Sequence, residues 1–168
     1  PLDAPEVSAA IERVQKRTDA LLNCGGTHRP EWFHRKLGDI LYEGCGVARD
    51  EAGLLDALTK ARELREEFWR DVKVVGTGNR LNQELEKAGR VADFIELGEV
   101  MILDALDRRE SAGAHFRNEY ATEAGEAKRN DGDWCAVSAW ETRPDGTKVR
   151  HSEPLSFSLI DLQVRDYR

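Results

Sequence analysis

Residues 79–120 read NRLNQELEKAGRVADFIELGEVMILDALDRRESAGAHFRNEY, and their apolar spacing decides the fold. Leu81, Leu85, Ala88, Ala92, Ile95, Ile102 and Leu106 recur mostly at alternating intervals of four and three. A second row, Val91, Phe94, Gly98, Met101 and Ala105, widens this stripe to more than half of a helix circumference. A helix apolar over so much of its surface must be covered on at least two sides. It is therefore predicted to be the central helix of a bundle. Beyond Leu106 the segment turns polar from Arg108 to Arg117, around a glycine stop predicted at Gly113.

The residues on the amino-terminal side supply the covering helices. Asp3 is expected to cap the first, with Pro5 in its first turn and Glu6 three residues after the cap, as in a capping box. Val7, Ile11, Val14 and Leu21 follow at helical spacing, with Thr18 completing the row, and Cys24-Gly25-Gly26 releases the chain. Pro30 opens a second helix that buries Phe33, Leu37, Ile40 and Leu41. Gly44-Cys45-Gly46 interrupts that pattern. Asp50 caps a third helix burying Leu54, Leu58, Ala61, Leu64 and Phe68. The break at Val74-Val75-Gly76-Thr77-Gly78 precedes the central helix. Short connections imply antiparallel neighbours, hence a mainly α, up-and-down bundle.

Past Tyr120 the character changes. Residues 121–133 are rich in Gly, Glu, Asp and Asn and read as a loop, after which residues 134–142 alternate as a strand does. Pro144-Asp145-Gly146 is a turn signal. Residues 149–151 and 155–159 are expected to supply the return strand, with Pro154 at an edge or break. The expected organisation is a helical bundle over residues 1–113 and an extended tail with a β-hairpin over 114–168.

Composition excludes several functions. No apolar run approaches the ~20 residues that a membrane helix needs, so direct membrane insertion is not expected. The net charge is −7 and basic residues are interleaved with acidic ones, which argues against nucleic acid as a partner. Three cysteines without close pairs argue against a disulfide framework and for a reducing compartment, by default the cytoplasm. The chain carries no secretory pattern, and it begins at Pro1, as expected of a fragment or a processed protein.

Most chemical constellations fail on inspection. Gly76-Thr77-Gly78 lacks the third glycine and the βαβ setting of a dinucleotide site. Cys24, His28, His34 and Cys45 are acceptable zinc ligands, but their gaps match no established pattern, and small buried cysteines need no metal. Ser111 and His115 stand four apart, yet no carboxylate is placed to orient the imidazole. No catalytic, cofactor-binding or metal residue is therefore assigned. Arg109, Glu110, Ser111, His115 and Arg117 remain. They read either as a helix carboxy terminus stabilised by cations, or as a polar seam docked on a neighbouring domain.

RRESAGAHFRNEY, residues 108–120, resembles a segment of succinate dehydrogenase and fumarate reductase flavoprotein subunits. WFHRKLGDILYEGCGVARDEAGL, ELREEFWRDVKV and LEKAGRVADFIELGEVMILDAL follow the same family in the same order, and residues 129–157 resemble the branch whose tail carries a strand-turn-strand. The family often has arginine where this chain has Ala112, so any contact made by that arginine does not carry over. The resemblance implies the carboxy-terminal, spectrin-repeat-like helical domain of such a subunit. It also implies FAD in the parent subunit, held outside this chain, and succinate–fumarate interconversion as the parent's chemistry. The implied partners are the FAD-binding and capping domains of the same subunit and an iron–sulfur subunit. The implied location is peripheral, on the inner face of the cell membrane. Arg109, Glu110, Ser111, His115 and Arg117 would then face the flavin-bearing domain. The rival expectation is a free-standing acidic helical interaction module. A domain cut from a larger subunit should expose an apolar patch where its neighbour sat, and a self-sufficient module should not.

Overall fold

A computed structural model describes residues 4–163. Four long helices lie where the periodicities place them: α1 (Pro5–Asn23), α2 (Pro30–Gly44), α3 (Glu51–Asp71) and α4 (Gln83–Asp107). A two-residue strand, β1 (Ala48–Arg49), sits between α2 and α3. After α4 come β2 (Phe116–Arg117), a 3₁₀ turn (Asn118–Tyr120), a one-turn helix α5 (Asp131–Trp134), and the hairpin strands β3 (Ala136–Thr142) and β4 (Lys148–Pro154).

The caps follow from side chains that can accept a backbone hydrogen. Asp50 accepts from the Gly53 N–H at 2.8 Å, and Asn82 from the Leu85 N–H at 3.1 Å. Asn82 also donates to the carbonyls of Val75 and Thr77, which ties the incoming loop to the helix it starts. The central helix thus starts near Asn82, as expected, and the correction concerns only Leu81, which the spacing places in its apolar row. Leu81 lies outside the helix and is 94% exposed. At α1 the N-cap is Ala4, without a side-chain cap, and the expected capping residue Asp3 lies outside the described residues.

Helices α2, α3 and α4 pack on one another around two contiguous clusters. Phe33, Leu37, Phe68, Val91, Ala92 and Ile95 fill one, with the rings of Phe33 and Phe68 edge-on at 5.2 Å. Leu54, Ala57, Leu58, Ala61, Ile102 and Ala105 fill the other. Burying each large apolar side chain stabilises the fold by roughly 1.5–3 kcal/mol. Gly98 lets α4 approach α2, since a Cβ there would stand 3.1 Å from Leu37 Cδ1. In the second apolar row, Phe94 and Met101 remain partly exposed.

Helix α1 departs from expectation. Only Leu21 of its apolar row enters the core, while Ile11 and Val14 are 64% and 67% exposed. The periodicity found the helix, but α1 meets α4 through its later turns. Arg17 there pairs with Asp93 and reaches the Gly89 carbonyl. In the earlier turns Ile11 and Val14 are left uncovered among the described residues.

The hairpin pairs Ala136 with Pro154 through to Thr142 with Lys148. The return strand ends at Pro154, so residues 155–159 do not extend it, contrary to expectation; the last ladder-like contact runs from Leu155 N–H to the Cys135 carbonyl. Trp134 belongs to α5 and not to the strand. The hairpin lies on α4, where Trp140 Nε1 donates to Asp104 at 2.7 Å, Arg150 pairs with Asp107 at 2.8 Å, and Lys148 pairs with Glu96 at 3.0 Å. Arg150 also stacks over Trp134 at 4.7 Å. A cleft of about 310 Å³ remains between Met101 and Asp104 of α4 and the two tryptophans.

Candidate functional site

The helix stop is at Asp107 and not at Gly113. Arg108 is already extended (φ −75°, ψ 101°), and its N–H makes the last helical bond, to the Asp104 carbonyl. Gly113 serves a different turn. Its φ of +59° lets Ala112 and His115 bond back on each other through both backbone pairs, at 2.8 and 3.1 Å. Residues 108–120 then fold back across the end of α4. Strand β2 lies parallel to β1, with Phe116 opposite Ala48 and Arg117 opposite Arg49. The expected bundle–tail boundary at residue 113 falls inside this knot.

Arg117 is 2% exposed and turns inward, which corrects the expectation that it is free to reach a neighbour. Its Nη1 donates to the carbonyls of Ala105 and Leu106 at 2.8 and 3.2 Å, groups that a helix end leaves without internal partners. Its Nε donates to Glu119, and its guanidinium lies 5.5 Å from the Tyr120 ring. Glu119 in turn accepts from the Glu51 N–H at the start of α3. One buried cation thus joins the end of α4 to the beginning of α3. The last turn of α4 contains acidic Asp104 and Asp107 and no base, so this cation and Arg150 of the hairpin answer its dipole.

The other members are also committed to the knot. Ser111 Oγ accepts from the Arg117 N–H at 2.8 Å and donates to the Arg117 carbonyl at 3.1 Å. Glu110 is buried; one oxygen accepts two hydrogens from Arg108 and the other accepts from the Asn130 N–H. His115 Nε2 is 3.1 Å from the Arg108 carbonyl, which requires the proton on that nitrogen. Burial lowers the His115 pKa, and the charges of Arg49, Arg108 and Arg117 lower it further, against the opposing Arg108 carbonyl. Of the predicted residues only Arg109 and part of His115 face outward.

Sequence reasoning missed Arg108, Asn130 and Glu119. The first stood in the quoted segment, but its pairing with Glu110 two residues away has no helical signature. The other two are brought in by turns too short to carry a period. Cys24, His34 and Cys45 are not brought together: Cys24 Sγ faces the Trp69 carbonyl, and the His34 ring lies 5.6 Å from Phe94. Burial pushes the Cys45 thiol up, away from reactive thiolate character.

This arrangement can hold a helix end and shape a loop; its polar atoms are spent on one another. Residues 34–167 match the family described as fumarate reductase flavoprotein C-term. The chain is 26% identical over 160 residues to the succinate dehydrogenase flavoprotein subunit of Bacillus subtilis, covering 95% of this chain and 26% of that protein. To the fumarate reductase flavoprotein subunit of Helicobacter pylori it is 30% identical over 171 residues, covering 99% of this chain and 22% of that protein. The chain thus spans about a quarter of the length of these relatives. Among solved structures it is similar to an E. coli quinol fumarate reductase chain, with a TM-score of 0.78 and 24% identity over 92% of this chain and 26% of that one. It is also similar to an adenosine-5-phosphosulfate reductase, with a TM-score of 0.73 and 17% identity over 94% of this chain and 26% of that one. At these identities the structures share the fold alone.

Proposed function

Because the chain belongs to the fumarate reductase flavoprotein C-terminal family, we propose that it is the non-catalytic buttress of an FAD-dependent subunit interconverting succinate and fumarate. The observation that carries this reading is the knot after α4. It spends Glu110, Ser111 and Arg117 on internal bonds and leaves Arg109 outside. Such a loop suits a surface that meets another domain, with buried members setting its shape and Arg109 and His115 touching the neighbour. The flavin, the capping domain, the iron–sulfur partner and a peripheral place on the inner membrane face all belong to the parent. No described helix is long and apolar enough to cross a membrane. Bundle and tail form two structural parts of one buttress, joined by the knot.

The exposed Ile11 and Val14, one turn apart on α1, favour this reading over a free-standing module, because adjacent apolar side chains left open suit a face that meets another domain. The likeness to an adenosine-5-phosphosulfate reductase leaves the chemistry to be argued from the family, since one fold serves both.

The test compares Arg109→Ala and Arg117→Ala in the 168-residue chain and in the complete subunit. Arg117→Ala is expected to lower the thermal midpoint of both, because it removes an internal cap. Arg109→Ala is expected to leave the isolated chain unchanged and to reduce FAD retention in the complete subunit. Unchanged FAD content and midpoint in the complete Arg109→Ala subunit would exclude the seam.

A further inference from the structure

We propose that His28, Glu67 and Asp71 form a binding site for a divalent first-row transition ion, of which Zn²⁺ is the natural probe. Glu67 and Asp71 stand four residues apart on the last turns of α3 and share one face. Like charges at that spacing repel. Asp71 has a partner, since its Oδ2 lies 2.6 Å from His28 Nδ1. Glu67 has neither a hydrogen bond nor an ion pair among the described residues, although it is half-buried. A His–Asp pair alone explains two of these residues and leaves the third unexplained. A cation coordinated by all three accounts for the set.

The geometry is held by backbone and packing. The loop before α2 is tied to the end of α3 by Gly26 N–H to Val72 carbonyl, His28 N–H to Asp71 carbonyl, and Lys73 N–H to His28 carbonyl, at 3.2, 3.2 and 2.8 Å. The approach is so close that a Cβ at Gly26 would stand 2.0 Å from the Asp71 carbonyl. The His28 ring stacks on Trp32 at 4.1 Å, which fixes its plane. Thr27 donates to Asp71 twice, from its N–H at 2.9 Å and its hydroxyl at 2.7 Å, the outer support that orients a ligating carboxylate. One nitrogen and two carboxylate oxygens lie within 4.8 Å of one another. Contraction of half-exposed side chains brings them onto one ion at about 2.0–2.2 Å.

The donor set selects the ion. An imidazole with two carboxylates suits Zn²⁺ and its neighbours better than Mg²⁺ or Ca²⁺, which favour oxygen alone. Two carboxylates neutralise the charge, and the fourth position falls to water. Coordination through the nitrogen that now faces Asp71 requires the tautomer whose ring proton sits on Nε2. The bound ion would staple the loop between α1 and α2 to the end of α3.

The experiment measures thermal unfolding of the 168-residue chain with and without Zn²⁺, beside Glu67→Gln, which keeps the His28–Asp71 pair. At roughly 100-fold excess over the dissociation constant, Zn²⁺ is expected to raise the midpoint by several degrees, reversibly with EDTA. Glu67→Gln should lose that rise without a lower metal-free midpoint. Co²⁺ should give a visible spectrum free of thiolate charge transfer. No rise in the wild-type chain, an equal rise in Glu67→Gln, or a thiolate band with Co²⁺ would each overturn the site.

Discussion

At the scale of single residues, the end of α4 shows how one substituent type can change meaning. Cations after a helix read from sequence as dipole partners or as docking groups, and Arg117 is the former, reaching back from a strand ten residues beyond the helix end at Asp107. His115 carries a testable consequence. Burial, followed by three nearby guanidinium groups, holds its folded pKa below the ordinary 6.5. The unfolded chain therefore binds a proton more readily than the folded one. His115 stabilises the fold fully above pH 6.5, and that contribution is lost as pH falls towards the folded pKa. Denaturant midpoints measured from pH 8 to pH 5 should decline, and His115→Gln should flatten the decline. An unaltered slope in the variant would place the titration elsewhere. Asp71 adds a separate acid limb: its bonds from His28 and Thr27 hold it at about 2, below 3.8, so its contribution is intact above about pH 4 and lost towards pH 2.

At the scale of elements, the central helix is where sequence spoke most clearly. Ile95 and Ile102 are fully buried, one in each core cluster, and each replaced by Ala should cost ~2–5 kcal/mol by chemical denaturation. Within the same helix, Glu99 is buried between Arg62 at 2.8 Å and Arg65 of α3. Removing both arginines strands a buried carboxylate, whereas Glu99→Leu removes the charge itself. The double arginine variant should therefore be the less stable of the two, and the reverse order would show that the ion pair is dispensable. Helices α2 to α4 were legible because a 3.6-residue period sums over many turns. The role of α1 was not, since Ile11 and Val14 report a face that wants cover and not what covers it. Leu81 was misplaced by one cap, because Asn82 takes the Leu85 N–H. The two-residue pairing of β1 with β2 has no period to read, and Glu99 finds its partners on another helix, beyond any local window. The candidate site was legible as a segment; its inward turn was not, because it depends on the unpaired carbonyls at Ala105 and Leu106.

At the scale of the whole molecule, the division between closed and open surface bears on what the chain is for. Helices α2, α3 and α4 bury two apolar clusters between them, so the chain should fold without FAD and show helical circular dichroism unaided. One open surface is the early part of α1, where Ile11 and Val14 are exposed. A helix this short of partners opens easily, because its backbone bonds are protected by little buried area. In the isolated chain, amide hydrogens of residues 7–14 should exchange quickly, while those of residues 91–102 in α4 remain protected. If the proposed buttress role is right, the complete subunit lays another domain over Ile11 and Val14. Exchange of residues 7–14 should then slow by at least ~10-fold, the effect of about 1.4 kcal/mol of added local stability. The α4 amides supply the internal standard, since their protection comes from packing present in both forms. Equal, rapid exchange of residues 7–14 in both would show that this face meets nothing in the subunit, and the self-sufficient module would become the better reading. Slow exchange already present in the isolated chain would point to self-association through the same face, which sedimentation at two concentrations would reveal as a dimer.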